Sequence, residues 1–326
     1  MIKQASSGVV VLAGGVGGSR FVRGVVPLEP PGGTTVIINT GDDEEFHGLH
    51  VSPDADTMLY VLAGLADSRR GWGRRGESFR TLTALAALGT EAWFQLGDLD
   101  FATHIDRTSR LRRGESLSQV LAAHTRALGV TARLLPMSDD SVRTRIKTDS
   151  GVLAFQDWFV REKARPAVRA LRYAGARVAR PAPGVLEAIA AAEIILLAPS
   201  NPFVSLGPIL AIPGIRRSLR EASAPIIAIS PLIGGRAVKG PADRMMRTLG
   251  VAPGPEGIGS LLSDLIDGIV VDDRDVARAR KRLPGNVAIT ATNLLMSSEA
   301  ASRRVAGVAL ELARALPRPA KKVRTT

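Results

Sequence analysis

Runs of consecutive apolar residues alternate along the chain with stretches whose apolar positions recur every three or four residues. The runs are GVVVLA (8–13), TTVIIN (34–39), EIILLA (193–198), PIIAIS (225–230), GIVVD (268–272) and NVAIT (286–290). They have strand length and are apolar throughout rather than at alternate positions. Strands buried on both faces of a parallel sheet look like this. Helical periodicity covers 54–66, 79–88, 116–128, 184–192, 241–249, 274–282 and 297–315, and one more helix opens at the Gly-rich turn after the first run. Strand and helix in alternation predict an α/β fold: an open sheet with helices on both faces.

The rhythm breaks between 67 and 165. That stretch is mostly helical, then offers a hairpin in TRIKTDSGVLAFQDW with Asp149-Ser150-Gly151 as its turn. The expected organisation is a nucleotide-binding core from 1–66 and 166–316, an inserted helical subdomain at 67–165 covering one edge, and a basic disordered tail at 317–326.

Composition narrows the function. A chain of 326 residues can bury one large core or two modest ones. The absence of Cys excludes disulfides, thiolate metal sites and Cys nucleophiles. No apolar run approaches the roughly 20 residues of a membrane span, and the Gly-rich turn near the N-terminus does not read as a secretory signal. The expectation is a cytoplasmic protein without membrane contact. Net charge is +12, part of it in the tail through Arg318, Lys321, Lys322 and Arg324. Aromatics are only 4% of the chain, which argues against nucleic acid and for small anionic ligands.

Against this basic background, IINTGDDEEFHGLHVSPDADT gathers six carboxylates: Asp42, Asp43, Glu44, Glu45, Asp54 and Asp56. It follows the second strand, on the rim where α/β proteins bind ligands. LAGGVGGSRF follows the first strand, and Gly14, Gly15, Gly17 and Gly18 would let backbone N–H groups approach an anion, with Arg20 one turn into the helix. It is neither a dinucleotide fingerprint nor a Walker A loop. Carboxylates beside a phosphate-binding turn suit a divalent cation between them, with Asp42 and Asp43 as ligands and Mg²⁺ as the metal. Asp54 also reads as a helix cap, and Glu44 and Glu45 as solvated surface. Ser200 and Asn201, in APSNPFVSLGPIL, fit hydrogen bonding to a base or sugar. Gly234, Gly235 and Lys239, in SPLIGGRAVKGPADRMM, make a second anion site. QLGDLDFATHIDR places Asp98 ahead of a helix carrying His104.

Taken in order, GGVGGSRF, NTGDD, FHGLHVSPDADT, RGWG, LGDLDFATH, LPMSDD, PSNPFVSLGPIL and SPLIGGRAVKGPADRMM resemble the CofD family, the 2-phospho-L-lactate transferases of coenzyme F-420 biosynthesis. The resemblance is strongest to the bacterial FbiA-like phosphoenolpyruvate transferase branch. It spans roughly residues 8–300 and implies a Rossmann-like sheet, a homodimer and Mg²⁺. The implied reaction moves a phospho-three-carbon-acid group, phosphoenolpyruvyl or 2-phospho-L-lactyl, from a GDP-linked donor to the terminal hydroxyl of the deazaflavin Fo, releasing GMP. By the same resemblance the Gly14–Gly18 loop and Arg20 hold donor phosphate, and the Ser200-Asn201 and Gly234-Gly235-Lys239 loops the guanosine end. Asp56, Gln95, Asp98 and His104 meet Fo, and Asp42 and Asp56 are catalytic. The rival expectation is a nucleotide-binding regulator of the same superfamily, YvcK-like, with no transfer chemistry.

Overall fold

The structure, a computed structural model, describes residues 8–317; the tail from 318 onward lies outside the described residues. Seven strands form the central sheet: β1 (Val9–Ala13), β2 (Thr34–Ile38), β3 (Arg133–Pro136), β4 (Ile194–Leu197), β5 (Ile226–Ile229), β6 (Gly268–Val271) and β7 (Ala288–Ala291). Every neighbouring pair is parallel, in the order β7-β6-β5-β4-β1-β2-β3. The continuous apolar runs are explained by the two cores they serve. Val10, Leu12, Ile195 and Leu197 face one core, and Val9, Val11, Ile194 and Leu196 face the other. A strand with a core on each side has no polar face to display.

Six of the strands stand where the apolar runs predict them. The exception is β3, which lies within the stretch read as inserted yet pairs with β2 at the sheet edge. Its signal is weak because it offers only Leu134 and Leu135, starts at an exposed Arg133 and ends at Pro136. Pro is tolerated there because an edge strand can lose a ladder donor. The rest of 67–165 holds three helices joined by turns and then a hairpin. The Arg143–Thr148 and Gly151–Ala154 strands pair antiparallel, and a third strand, Ala170–Ala174, joins them beyond the expected boundary. This small sheet carries its own core of Ile146, Phe155, Trp158 and Val168. It docks on Val204 and Met245 of the larger unit.

The helices flanking the site are α1 (Gly15–Val25), α2 (Pro53–Leu62), α3 (Arg80–Ala87), α4 (Asp98–Arg112) and α5 (Leu117–Ala127). The acidic stretch after β2, read as a loop, folds in part as a hairpin of Glu44–Phe46 against Leu49–Val51. Its turn residues His47 and Gly48 both have positive φ (54° and 73°), the backbone twist two-residue hairpins favour. Val51 then packs with Leu82, Leu96 and Phe101, fixing the hairpin against the α3–α4 region.

The order in which strands are added to the sheet reverses between β1 and β4. From β1 the chain proceeds outward to β2 and β3; from β4 it proceeds the other way to β7. A crevice opens beyond the carboxyl ends at such a point. The helix Glu299–Ala315 packs on α1 through Val305, Ala306 and Ala309 beside Phe21, Val22 and Val25. The crossing is close at Gly24, where a Cβ would stand 2.2 Å from the Ser302 carbonyl oxygen. Gly24→Ala should therefore force the two helices apart and cost about 1–3 kcal/mol. Urea unfolding checks this, and a wild-type midpoint would show that the contact yields without cost.

Candidate functional site

The crevice is a cleft of about 610 Å³. Gly14 and Gly15 carry the chain from β1 into α1, and Gly15 takes φ +68°, open to glycine without strain. The Gly14 N–H donates to Ser200 Oγ at 3.2 Å, and Ser200 Oγ donates back to the Gly14 carbonyl at 2.8 Å. This reciprocal pair ties the loop after β1 to the loop after β4 across the reversal point. Gly14, Gly15 and Gly17 line the cleft with Arg20. Gly18 does not. It is a packing position, because a Cβ there would lie 2.8 Å from Ser200 Oγ.

At the end of β2, Asn39 organises the acidic residues. Its Nδ2 donates to Asp42 Oδ1 at 2.9 Å, to Asp54 Oδ2 at 2.8 Å and to the Val204 carbonyl at 3.2 Å, while its Oδ1 accepts from the Gly41 N–H. Two carboxylates thus share one amide, and both line the cleft. Burial pushes the Asp42 carboxyl well above its ordinary range, and the charges of Asp54 and Asp43 push it further. Burial likewise raises Asp54 to about 6, against hydrogen bonds from Asn39 and the Gly15 backbone that favour its charged form.

The expected metal pair was Asp42 with Asp43, but Asp43 does not line the cleft. It accepts from Ser52 Oγ at 2.7 Å and lies 3.0 Å from His50 Nε2, with both carboxylate oxygens committed to the hairpin and the start of α2. The carboxylate that lies with Asp42 on the Asn39 amide, lining the cleft, is Asp54. Nor is Asp54 the cap its position suggested: its side chain points to Asn39 rather than to the free amides of α2.

A second buried cluster joins α2 to α4. Arg107 donates to both oxygens of Asp56, through Nη1 to Oδ2 at 3.1 Å and through Nη2 to Oδ1. Burial would raise the Asp56 carboxyl, but Arg107 and His104 outweigh it and hold it below the ordinary range. An ion-paired carboxylate of that kind is a poor base, so Asp56 fits positioning rather than proton transfer. His104 lines the cleft with Gln95 and Asp100. Asp98 does not. It accepts from the Thr81 N–H at 3.0 Å and from Ser78 Oγ, which makes it a cap for α3.

On the far wall, Ser200 and Asn201 face the cleft, and Asn201 Oδ1 accepts from the Phe203 N–H at 2.9 Å, shaping its own loop. Gly234 and Gly235 lie outside the cleft, as the positive-φ turn between Leu232–Ile233 and Arg236–Ala237, with the Gly234 N–H on Asp275. They serve by folding the loop that carries Lys239 to the cleft. Lys239 and Arg20 both reach Gly71, where a Cβ would stand 2.7 Å from Lys239 Nζ and 3.7 Å from Arg20 Nη2. Neither cation has a carboxylate partner among the described residues. Burial lowers the Lys239 ammonium pKa and the Arg20 charge lowers it further, so the pair presents unmet positive charge to the cleft. Tyr60, Trp72, Phe94, Phe155 and Phe159 also line the cleft, five aromatic side chains from a chain that is only 4% aromatic.

Sequence reasoning missed Asn39, Arg107 and the aromatic side chains of the cleft, and gave Asp54 the wrong task. Asn39 had one usable signal, a polar residue at the carboxyl end of a buried strand. Asp56→Asn should leave the Arg107 charge buried without a counter-charge and cost about 3–5 kcal/mol. Replacing the pair together, Asp56→Leu with Arg107→Met, should cost less. Thermal and urea unfolding of the three proteins would decide, and a fully stable Asp56→Asn would refute the ion pair.

The cleft can be set beside known proteins. A family profile described as 2-phospho-L-lactate transferase CofD matches residues 9–299. A Kitasatospora aureofaciens protein named phosphoenolpyruvate transferase is 45% identical over 312 residues, covering 94% of this chain and 97% of that protein. Proteins of the same name from Streptomyces griseus and Mycolicibacterium smegmatis are 43% and 41% identical, each covering 94% of this chain and 98% of the relative. Among solved structures, a Bacillus halodurans protein of the UPF0052 family superposes with a TM-score of 0.58 at 18% identity, covering 93% of this chain and 98% of that one, which shows a shared fold. With a matched profile over nearly its whole length and relatives above 40% identity, the chain belongs to the CofD family of transferases, as its ordered motifs suggested.

Proposed function

We propose that the protein transfers a phosphoenolpyruvyl group from a GDP-linked donor to the terminal hydroxyl of the deazaflavin Fo, releasing GMP. The family and the name its relatives carry support the reaction class. The observation that carries the reading is the polarity of the cleft: a buried carboxylate pair, two cations without a carboxylate partner among the described residues and five aromatic side chains line a single cavity. A donor with a diphosphate suits the cations, and a planar ring suits the aromatic side chains.

The residues present fit Mg²⁺. Asp42 and Asp54 share one Asn39 donor, and burial has raised both carboxyls, which leaves a demand for positive charge. Among the described residues no third His, Cys, Asp or Glu completes a metal cluster. Two carboxylates, with the remaining positions left to phosphate and water, is the arrangement Mg²⁺ favours. When bound, the ion would offset diphosphate charge.

The chain's own part follows. Arg20, Lys239 and the Gly14–Gly17 backbone hold the donor phosphates. The Fo hydroxyl oxygen attacks the phosphorus that bears the enolpyruvyl group, a P–O bond forms, and the bond to GMP breaks as GMP leaves with its electron pair. The hydroxyl proton passes to solvent; carboxylates that hold a cation are, like the ion-paired Asp56, weak bases, so holding the ion is the larger role of Asp42 and Asp54. Positioning and charge neutralisation supply most of the acceleration in such transfers.

Purified protein supplied with Fo, Mg²⁺ and the enolpyruvyl, lactyl or glyceryl donor should give the enolpyruvyl product fastest by mass spectrometry. Fo binding without transfer from any donor would overturn the reading, and absence of Fo binding would favour a regulator instead. Asp42→Asn keeps the Asn39 contact but removes the charge. It should lower turnover by about 100-fold or more and abolish thermal stabilisation by Mg²⁺. A carboxyl whose folded pKa is raised contributes stability below its unfolded value and loses it as pH rises through the folded one. The metal-free variant should therefore melt above wild type at pH 8, with the gap closing as the pH falls. Wild-type turnover in Asp42→Asn would remove that residue from the reaction.

A further inference from the structure

The small sheet reaches the cleft through the segment that follows its Gly151–Ala154 strand. Asp157–Arg161 is a single π-helical turn, closed by the Glu162 N–H on the Asp157 carbonyl at 2.8 Å. Turns of this kind are frequent at functional sites. Trp158 is fully buried in the core of the small sheet, and its indole N–H donates to the Pro166 carbonyl at 2.9 Å. Phe155, Gln156, Phe159 and Val160 line the cleft instead. Gln156 is 5% exposed, and it is the polar member of that group. Its Nε2 donates to the Asp42 carbonyl at 3.3 Å. A carbonyl only accepts, which settles which end of the amide is nitrogen and leaves Oε1 as the other end. Among the described residues nothing donates to Oε1, and it is not one of the unpartnered atoms that packing encloses. An acceptor held in place without a partner on a buried residue calls for an explanation. A ligand in the cleft supplies one.

Resting on the transferase reading above, we propose that Gln156 is a catalytic residue that orients the nucleophile: its Oε1 accepts the hydrogen bond of the attacking hydroxyl and turns that oxygen's lone pair toward phosphorus. Place and proton inventory single out this group. Gln156 is bonded to the backbone of Asp42, whose carboxylate shares the Asn39 amide with Asp54, so Gln156 stands at the acidic end of the cleft. An amide oxygen accepts and has no proton to give. It has nothing to offer the phosphate oxygens of the GDP-linked substrate, nor the two carboxylates. Phe155 and Phe159 stack on its own segment, ring centroids 5.4 Å apart, and bring no competing donor. The reacting group that carries a proton is the hydroxyl. In the transfer its oxygen forms the bond to phosphorus as the bond to GMP breaks, and GMP keeps that electron pair. The hydroxyl proton, pointed along the Gln156 hydrogen bond, goes on to solvent, because an amide oxygen is too weak a base to keep it. Gln156 thus acts by orientation, the kind of contribution that dominates such transfers.

The test is steady-state transfer by the full chain with Fo, the enolpyruvyl donor and Mg²⁺, alongside thermal melts with and without Mg²⁺. Gln156→Met keeps the length of the side chain and removes both polar ends. It should lower kcat by about tenfold or more, while KM for the GDP-linked substrate and the Mg²⁺-induced rise in Tm stay within about twofold of wild type. Gln156→Glu keeps an acceptor oxygen and loses the N–H on the Asp42 carbonyl. Its kcat should stand above that of Gln156→Met by about fivefold or more. A glutamine that only braced the Asp42 loop, or held a water of the metal, would lower the Mg²⁺ effect together with turnover, and bracing would be lost equally in both variants. A smaller loss in Gln156→Met, a smaller advantage for Gln156→Glu, or an Mg²⁺ effect that falls with turnover overturns the inference while leaving the transferase reading intact. If Gln156→Met fails to fold, Gln156→Glu decides alone: a kcat above about a tenth of wild type supports the inference, and a lower one overturns it. A wild-type protein that transfers nothing to Fo would instead defeat that reading, and this inference with it.

Discussion

The site depends on one amide. Asn39 stands where β2 ends and divides its four hydrogen bonds among Gly41, Asp42, Asp54 and Val204. Those partners come from the acidic loop, from α2 and from the loop after β4, so three separate segments are registered on one side chain. The same amide permits Asp42 and Asp54 to be buried side by side, which would otherwise be costly for like charges. It lessens that cost without removing it, as the raised carboxyls show. The fold stores a demand for positive charge at the carboxyl end of its central strands, and stability has been given up there for a function.

The demand can be met only because the sheet reverses at β1 and β4. The reversal leaves a gap in which the Gly14 and Ser200 loops hold one another through a reciprocal hydrogen bond, at a glycine whose Cβ would stand 2.5 Å from Asp54 Oδ2 and 2.9 Å from Ser205 Cβ. The small residues of the first loop thus serve two masters. Gly14, Gly15 and Gly17 expose backbone to the cleft, while Gly18 lets α1 close on Ser200. A motif read as one anion cradle is part cradle and part joint.

What was legible in the sequence follows from how many constraints each feature satisfied. Strands with a core on both faces leave an unbroken apolar run, and six of them could be read directly. The edge strand Arg133–Pro136, with two core residues, could not. Carboxylates were legible as a group but not one by one, because a carboxylate that caps a helix, one that fixes a hairpin and one that lines the cleft are the same letter. Asp98, Asp43 and Asp54 respectively do those three things, and only their partners tell them apart. Arg107 was the hardest. It sits in DRTSRLRR among Arg110, Arg112 and Arg113, all more exposed than it, and nothing in spacing marks it as the one that turns inward. Its burial is decided by Asp56, half a hundred residues away, a tertiary fact no local pattern carries.

The net charge of +12 hides a division of labour that the ion pairs expose. Many of the guanidiniums are answered by a neighbouring carboxylate, as Arg216 is by Asp264 and Arg278 by Glu256, and at partly exposed positions such pairs contribute little. Arg20 and Lys239 are set apart by their place: they line the cleft without a carboxylate partner among the described residues, and the burial that lowers the Lys239 ammonium pKa also weakens the screening between them and any phosphate that enters. Opposite charges of comparable strength within one cavity would collapse into a salt bridge if they could touch. Here the acidic pair is held by Asn39 and the basic pair is carried on α1 and the loop after Ile233, each anchored to a different segment. The cleft therefore keeps both demands open at once.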